Sequence, residues 1–143
     1  MPHLNEIRTS LEVGFADGAL PEQLARFRGR QTRSIGNCPS YPFEDAQFDV
    51  VLMEEKVVSL KSVREAHRVL KPDGRLFFVV PERTKKQAGF TLPEIYSLVR
   101  NGFNIVEVVR PPWWLFGLRG RTITICAQKK NWRNHTNTYR PYL

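Results

Sequence analysis

The chain has 143 residues, 41% of them hydrophobic and 25% charged, with a net charge of +8. That length suits one compact domain and leaves no room for a second core, and no apolar run approaches what a bilayer crossing needs, so no transmembrane segment is expected. Nothing resembles a secretory signal, and Cys38 and Cys126 read as free thiols rather than a disulfide, which points to the cytoplasm.

Residues 8–15 read as a short first strand running into a loop bounded by Gly14 and Gly18. Residues 21–27 read as a helix with Pro21 in its first turn, closed by Gly29. Residues 31–36 form one more short strand before an Asn37-Cys38-Pro39 loop. Phe48-Asp49-Val50-Val51-Leu52-Met53 is the unbroken apolar run of a strand buried on both faces, and residues 75–80 are another. Between them the spacing predicts a helix, with Ser62 and Glu65 as a capping box and Val63, Ala66, Val69 and Leu70 on one face. Lys71-Pro72-Asp73-Gly74 stops it and turns the chain, completing a βαβ unit of a parallel sheet. Thr91 and Glu94 make a second capping box ahead of Ile95, Leu98 and Val99, and Asn101-Gly102 ends that helix. Residues 103–109 and 121–127 are strands with no helical period between them, so they pair antiparallel. No internal repeat appears, and residues 131–143 mix basic and aromatic residues without periodicity, the pattern of a tail.

The excess positive charge invites a nucleic-acid reading, but it is spread over Arg26, Arg28, Arg30, Arg33, Arg83, Lys85 and Lys86 and the C-terminal Lys129, Lys130, Arg133 and Arg140. Scatter of this kind is the pattern of a solvated basic face, and nucleic acid is the minority reading.

Tyr41-Pro42-Phe43-Glu44-Asp45, then Phe48-Asp49-Val50-Val51, then residues 64–76 resemble the second half of class I S-adenosylmethionine (SAM) methyltransferases, nearest the small-molecule, ubiquinone-biosynthesis-like branch. The resemblance implies a reduced Rossmann-like α/β fold, mostly parallel with an antiparallel C-terminal hairpin, over residues 1–130. It also implies SAM as cofactor. Its cofactor contacts would be Glu12, Gly14, Phe15, Ala16 and Gly18 on the first loop, Asn37 after the next strand, and Met53 at the end of the strand after that. Glycines serve such a loop because the cofactor lies against bare backbone, and Ala16 stands where a middle glycine is usual. Read without the resemblance, Gly14 to Gly18 is also an ordinary tight turn, and Asn37 a loop residue capping its own backbone.

The family normally places a strand, a helix and another strand before the Pro-Phe motif, with a ribose-binding acid after the first of these strands. Here residues 30–41 cover that distance, enough for one strand, and no Asp or Glu lies between Glu22 and Glu44. Relatives often carry a Glu-His pair near the transferred methyl; Val58 and Ser59 stand in its place, so no catalytic residue is assigned. Glu54 and Glu55 read as solvated helix-start acids and His67 as a packing or surface residue, and no metal-ligand spacing exists.

Two functions stay open: methyl transfer from SAM to an unidentified small-molecule acceptor, and a methyltransferase-like interaction module that has lost SAM. Trp113, Trp114, Leu115 and Phe116 form an apolar loop flanked by arginines, read either as packing over the sheet edge or as a protein-partner surface. The chain begins almost at its first strand, so a shielded reaction chamber would need a partner or a second copy, a homo-oligomer.

Overall fold

A computed structural model describes residues 7–15, 19–110 and 121–130. Ala16, Gly18, the aromatic residues 113–116 and the tail 131–143 lie outside the described residues, so the expectations placed on them stand as proposals. Six strands form one sheet in the order β2-β1-β3-β4-β6-β5, with β1 Thr9–Val13, β2 Gln31–Ile35, β3 Phe48–Met53, β4 Leu70–Pro81, β5 Phe103–Val109 and β6 Thr122–Lys129. β2, β1, β3 and β4 run parallel, while β6 lies between β4 and β5 and is antiparallel to both. This is the α/β sheet expected from the sequence, mostly parallel with an antiparallel C-terminal pair.

The sheet faces are unequal. On one face α2 (Leu60–Val69) and α3 (Leu92–Val99) bury Val63, Ala66, Val69, Ile95 and Val99 against Leu11, Val51, Met53, Leu76, Phe78 and Ile125. On the other face α1, Glu22–Ala25, is a single turn that contributes Leu24, followed by Phe27, to a small cluster with Val50, Leu52, Phe77 and Cys126. Phe27 stacks on Phe77 with centroids 3.9 Å apart. Asp49 ties the amino ends of β1 and β3 together by accepting from the Arg8 and Thr9 amides at 3.1 and 3.0 Å. Burial opposes ionisation there, but those amides and Lys71 outweigh it and hold the Asp49 carboxyl below its usual range.

Local signals differ from the sequence reading in particular places. The second capping box is present, with Thr91 and Glu94 exchanging side-chain bonds with each other's backbone. The Ser62–Glu65 box is not. Ser59 is the N-cap of α2 and accepts from the Ser62 amide at 3.2 Å, while the Ser62 hydroxyl donates to the Val57 carbonyl. Glu65 has other partners, the Tyr41 amide at 2.8 Å and Arg68. After α2 the chain enters β4 directly at Leu70, and residues 71–74 bulge from the ladder between the Phe48–Leu70 and Val50–Arg75 pairs. There Asp73, at φ 64°, takes the left-handed turn. Gly102 serves packing rather than left-handed capping, since a Cβ on it would stand 2.6 Å from His67 Cδ2.

Candidate functional site

In an open parallel sheet, ligands bind beyond the carboxyl ends of the strands where the strand order reverses. Here β2 lies on one side of β1 and β3 on the other, so the reversal falls between β1 and β3. The register sets Val13 level with Ile35 and with Met53, so the loops after β1, β2 and β3 leave the sheet side by side. Two further bonds hold their first residues. The Gly14 amide donates to the Ile35 carbonyl at 2.8 Å, and the Glu54 amide to the Val13 carbonyl at 3.0 Å.

Gly14 has φ +88°, a conformation that side chains disfavour, and a Cβ on it would lie 2.9 Å from Val57 Cγ1 and 3.2 Å from Glu54 Cβ. The close neighbour is therefore the 3-10 turn Glu55–Val57, which packs over the loop. Glycine at this position is required by the protein's own packing, whatever lies beyond it. Phe15 follows, partly buried against the Leu24, Phe27 and Phe77 cluster.

Glu12 is 2% exposed and faces the α1 side of the sheet. Its carboxylate accepts both arms of Arg28, Nε at 2.6 Å and Nη2 at 3.0 Å. The Glu12 hydrogen bond raises the Arg28 pKa further. The Gly29 amide donates to Ser10 Oγ at 2.9 Å, so the polar residues of β1 clasp the segment that follows α1. The acid expected to meet a cofactor's amino end thus holds an internal cation. Asn37 is exposed beyond the end of β2, and Met53 is fully buried in the core beneath α2.

The remaining chemistry at this edge is structural. The Glu54 carboxylate caps the 3-10 turn by accepting from the Lys56 amide at 2.6 Å, and Glu55 is exposed. Glu82, just past β4, forms a two-bond pair with Arg110 at 3.1 and 3.0 Å. That pair, led by the Arg110 hydrogen bond, holds the Glu82 carboxyl below its ordinary value. His67 lies on α2, edge-on to Phe103 at 5.4 Å, with Nε2 buried and without a hydrogen-bond partner. Burial, then the charge of Lys129, lowers its pKa. Among the described residues no group of His, Cys, Asp and Glu is arranged to hold a metal ion, and no helix is long and apolar enough to cross a membrane.

A cluster invisible in the sequence pattern lies on the α2 face. Arg68 binds the Phe43 and Tyr41 carbonyls at 2.8 and 2.9 Å as well as Asp45 and Glu65. This pins the Tyr41-Pro42-Phe43 segment beside an open cavity of about 650 Å³. Only the Glu65–Arg68 pair, three residues apart on a helix, had a sequence signal.

The methyltransferase domain family matches residues 19–78. No curated protein matches the chain in sequence. Among solved structures, a SAM-dependent methyltransferase from Methanosarcina mazei is similar at 17% identity and a TM-score of 0.63, over 87% of this chain and 93% of that one. The 1,6-didemethyltoxoflavin-N1-methyltransferase of Burkholderia thailandensis, solved with its substrate and S-adenosylhomocysteine, is similar at 21% identity and 0.63, over 90% and 74%. A Haloferax volcanii chain in complex with a methyltransferase activator gives 14% identity and 0.66, over 90% and 86%. At these identities the structures establish the fold and do not single out a branch within it.

Proposed function

We propose that this member of the class I SAM-dependent methyltransferase fold family binds SAM across the carboxyl ends of β1 and β2 and transfers its methyl to a small-molecule acceptor approaching over the end of β3. The observation that supports this most directly is the strand-order reversal between β1 and β3, where the loops after β1, β2 and β3 leave the sheet side by side. The residues at hand fit the group there. Beyond Gly14, Phe15 offers a partly buried ring, and Ala16 and Gly18 follow it in the sequence. Asn37 offers an exposed amide that can both donate to and accept from ribose hydroxyls. Met53 would contribute through its backbone end, since its side chain is in the core. Glu12 would act at one remove, holding the loop's base through Arg28.

When bound, SAM supplies an activated sulfonium methyl for in-line displacement. Val58 and Ser59 provide no imidazole base, so the chain's part is to orient the two reactants and exclude water. An acceptor whose nucleophile is already unprotonated, or a protein partner that closes the site, fits that division of labour. The complex of the Haloferax neighbour with an activator supports the second route.

One observation favours a second reading. The Glu12 carboxylate is already neutralised by Arg28, and no acid follows β2 before Glu44, so the fold would persist as an interaction module without SAM. Calorimetric titration of the purified chain with SAM and S-adenosylhomocysteine separates the two. The first reading expects saturable binding of both that Asn37→Asp tightens, because a carboxylate is the stronger acceptor for two hydroxyls. It also expects a higher melting temperature at ligand concentrations well above Kd. No heat and no thermal shift with either ligand would leave the interaction module standing.

A further inference from the structure

β2 ends the sheet, and among the described residues only its β1 side is paired. Gln31, Thr32, Arg33 and Ser34 are exposed, with only Ile35 partly covered. The Gln31 amide donates to the Arg8 carbonyl and the Ile35 carbonyl accepts from the Gly14 amide, each at 2.8 Å. In a parallel ladder alternate residues turn both backbone groups to the same neighbour. Gln31, Arg33 and Ile35 therefore face β1, and Thr32 and Ser34 direct their N–H and C=O outward.

Natural sheets blunt such edges with proline, bulges, lysine or a covering segment. β2 contains no proline and pairs with β1 without a register shift. Its one charge, Arg33, lies over the Phe43 ring at 5.8 Å. Beside it opens the cavity of about 650 Å³ whose walls carry two cations, Arg33 and Arg68, and one acid, Glu44, around Pro42, Phe43 and Gln47. An added strand would find backbone partners at Thr32 and Ser34 and room for a side chain over Phe43.

We propose that the outer edge of β2 accepts an extended acidic segment of a partner protein by strand addition. Charge selects this occupant. Arg30 and Arg33 are exposed along this margin, and no Asp or Glu lies between Glu22 and Glu44. In the register that uses both outward residues, Thr32 with Ser34, a second copy paired about a two-fold axis sets Arg33 opposite Arg33, an unfavourable like-charge pair. Residues 131–143 carry Arg133 and Arg140 and no acid, so they do not complement the edge either. The interaction does not depend on SAM.

The test uses the full chain and a fluorescein-labelled peptide of alternating valine and glutamate, with a valine–lysine peptide as control. Anisotropy should show binding of the glutamate peptide and at least about tenfold weaker binding of the lysine one. Ser34→Pro removes an outward N–H without touching the β1 ladder, so it should keep the melting temperature and weaken the glutamate peptide about tenfold or more. Amide exchange on the unmodified chain supplies a readout that survives if that variant fails to fold. The Thr32 and Ser34 amides should exchange fast alone and slowly with peptide, while Gln31 and Arg33 are slow in both states. Equal affinity for the two peptides, no binding of the glutamate peptide, or Thr32 and Ser34 exchange unaltered by it would overturn the proposal. A dimer in light scattering that Ser34→Pro dissociates would overturn it in favour of a second copy.

Discussion

His67 shows how one side chain is fixed by what surrounds it. Its ring is pinned between the Phe103 edge and the backbone of Gly102, and Nε2 has no partner. Burial and nearby Lys129 lower its pKa from 6.5, so the folded chain keeps the imidazole neutral while the unfolded chain protonates it near the ordinary value. Between the two values the unfolded state binds more protons, so this contribution to stability is complete above the ordinary pKa and is lost as pH falls through it. Urea denaturation from pH 7.5 to pH 5.5 should show stability falling, and His67→Gln should flatten that slope; an unchanged slope would place the titration elsewhere. At the same scale Glu12 shows what a sequence hides. Its acid-then-glycine setting was legible, but Arg28 lies sixteen positions away and reaches it only because the segment after α1 folds back over β1. Gly14 was legible as a required glycine, whereas the contact that requires it, Val57, belongs to a different turn of the chain.

Elements with redundant signals could be read to the residue. β3 at Phe48–Met53 and β5 at Phe103–Val109 have the expected bounds because apolar runs and turn residues agree. The start of α2 had competing signals. Ser59 and Ser62 are each followed by residues that could begin a helix, and the Ser62–Glu65 spacing is the sequence signature of a capping box. Tertiary partners decide the outcome. Val57 takes the Ser62 hydroxyl, Tyr41 and Arg68 take Glu65, and the helix starts three residues earlier at Ser59, whose hydroxyl accepts from the Ser62 amide. The consequence is measurable. Ser59→Ala should cost about 1 kcal/mol in urea denaturation, the usual loss for a capping hydroxyl. Glu65→Gln should act differently, by loosening the Tyr41–Phe43 segment, whose Arg68 anchor is held by Glu65, rather than by fraying the helix start.

Across the whole molecule, the two faces of the sheet predict two levels of stability. The face under α2 and α3 is one continuous core from Leu11 to Ala127, and the central strands β3, β4 and β6 bury residues on both sides. The other face depends on a single-turn helix and a stacked pair, Phe27 on Phe77. The shortened span from α1 to the Tyr41-Pro42-Phe43 segment was legible in the sequence as a missing helix and strand, but which face it would leave lightly covered was not, because that depends on where α1 packs. With little apolar area beneath them, α1 and β2 should open without the rest of the sheet. Phe27→Ala removes the ring that ties α1 to Phe77, a change of the kind that costs roughly 3–5 kcal/mol in a rigid core. Here local opening offers an escape, so the loss should concentrate in amide exchange. Residues 22–35 should exchange at least about tenfold faster than in the unmodified chain, while the β4 and β6 amides keep their protection. Arg28, which pairs with Glu12 of β1, lies inside the loosened unit, so its amide should exchange with those of α1 rather than with those of β3. Uniform acceleration across all six strands would instead mean that the lightly covered face and the core unfold together, with β2 and α1 as integral to the fold as the strands at its centre.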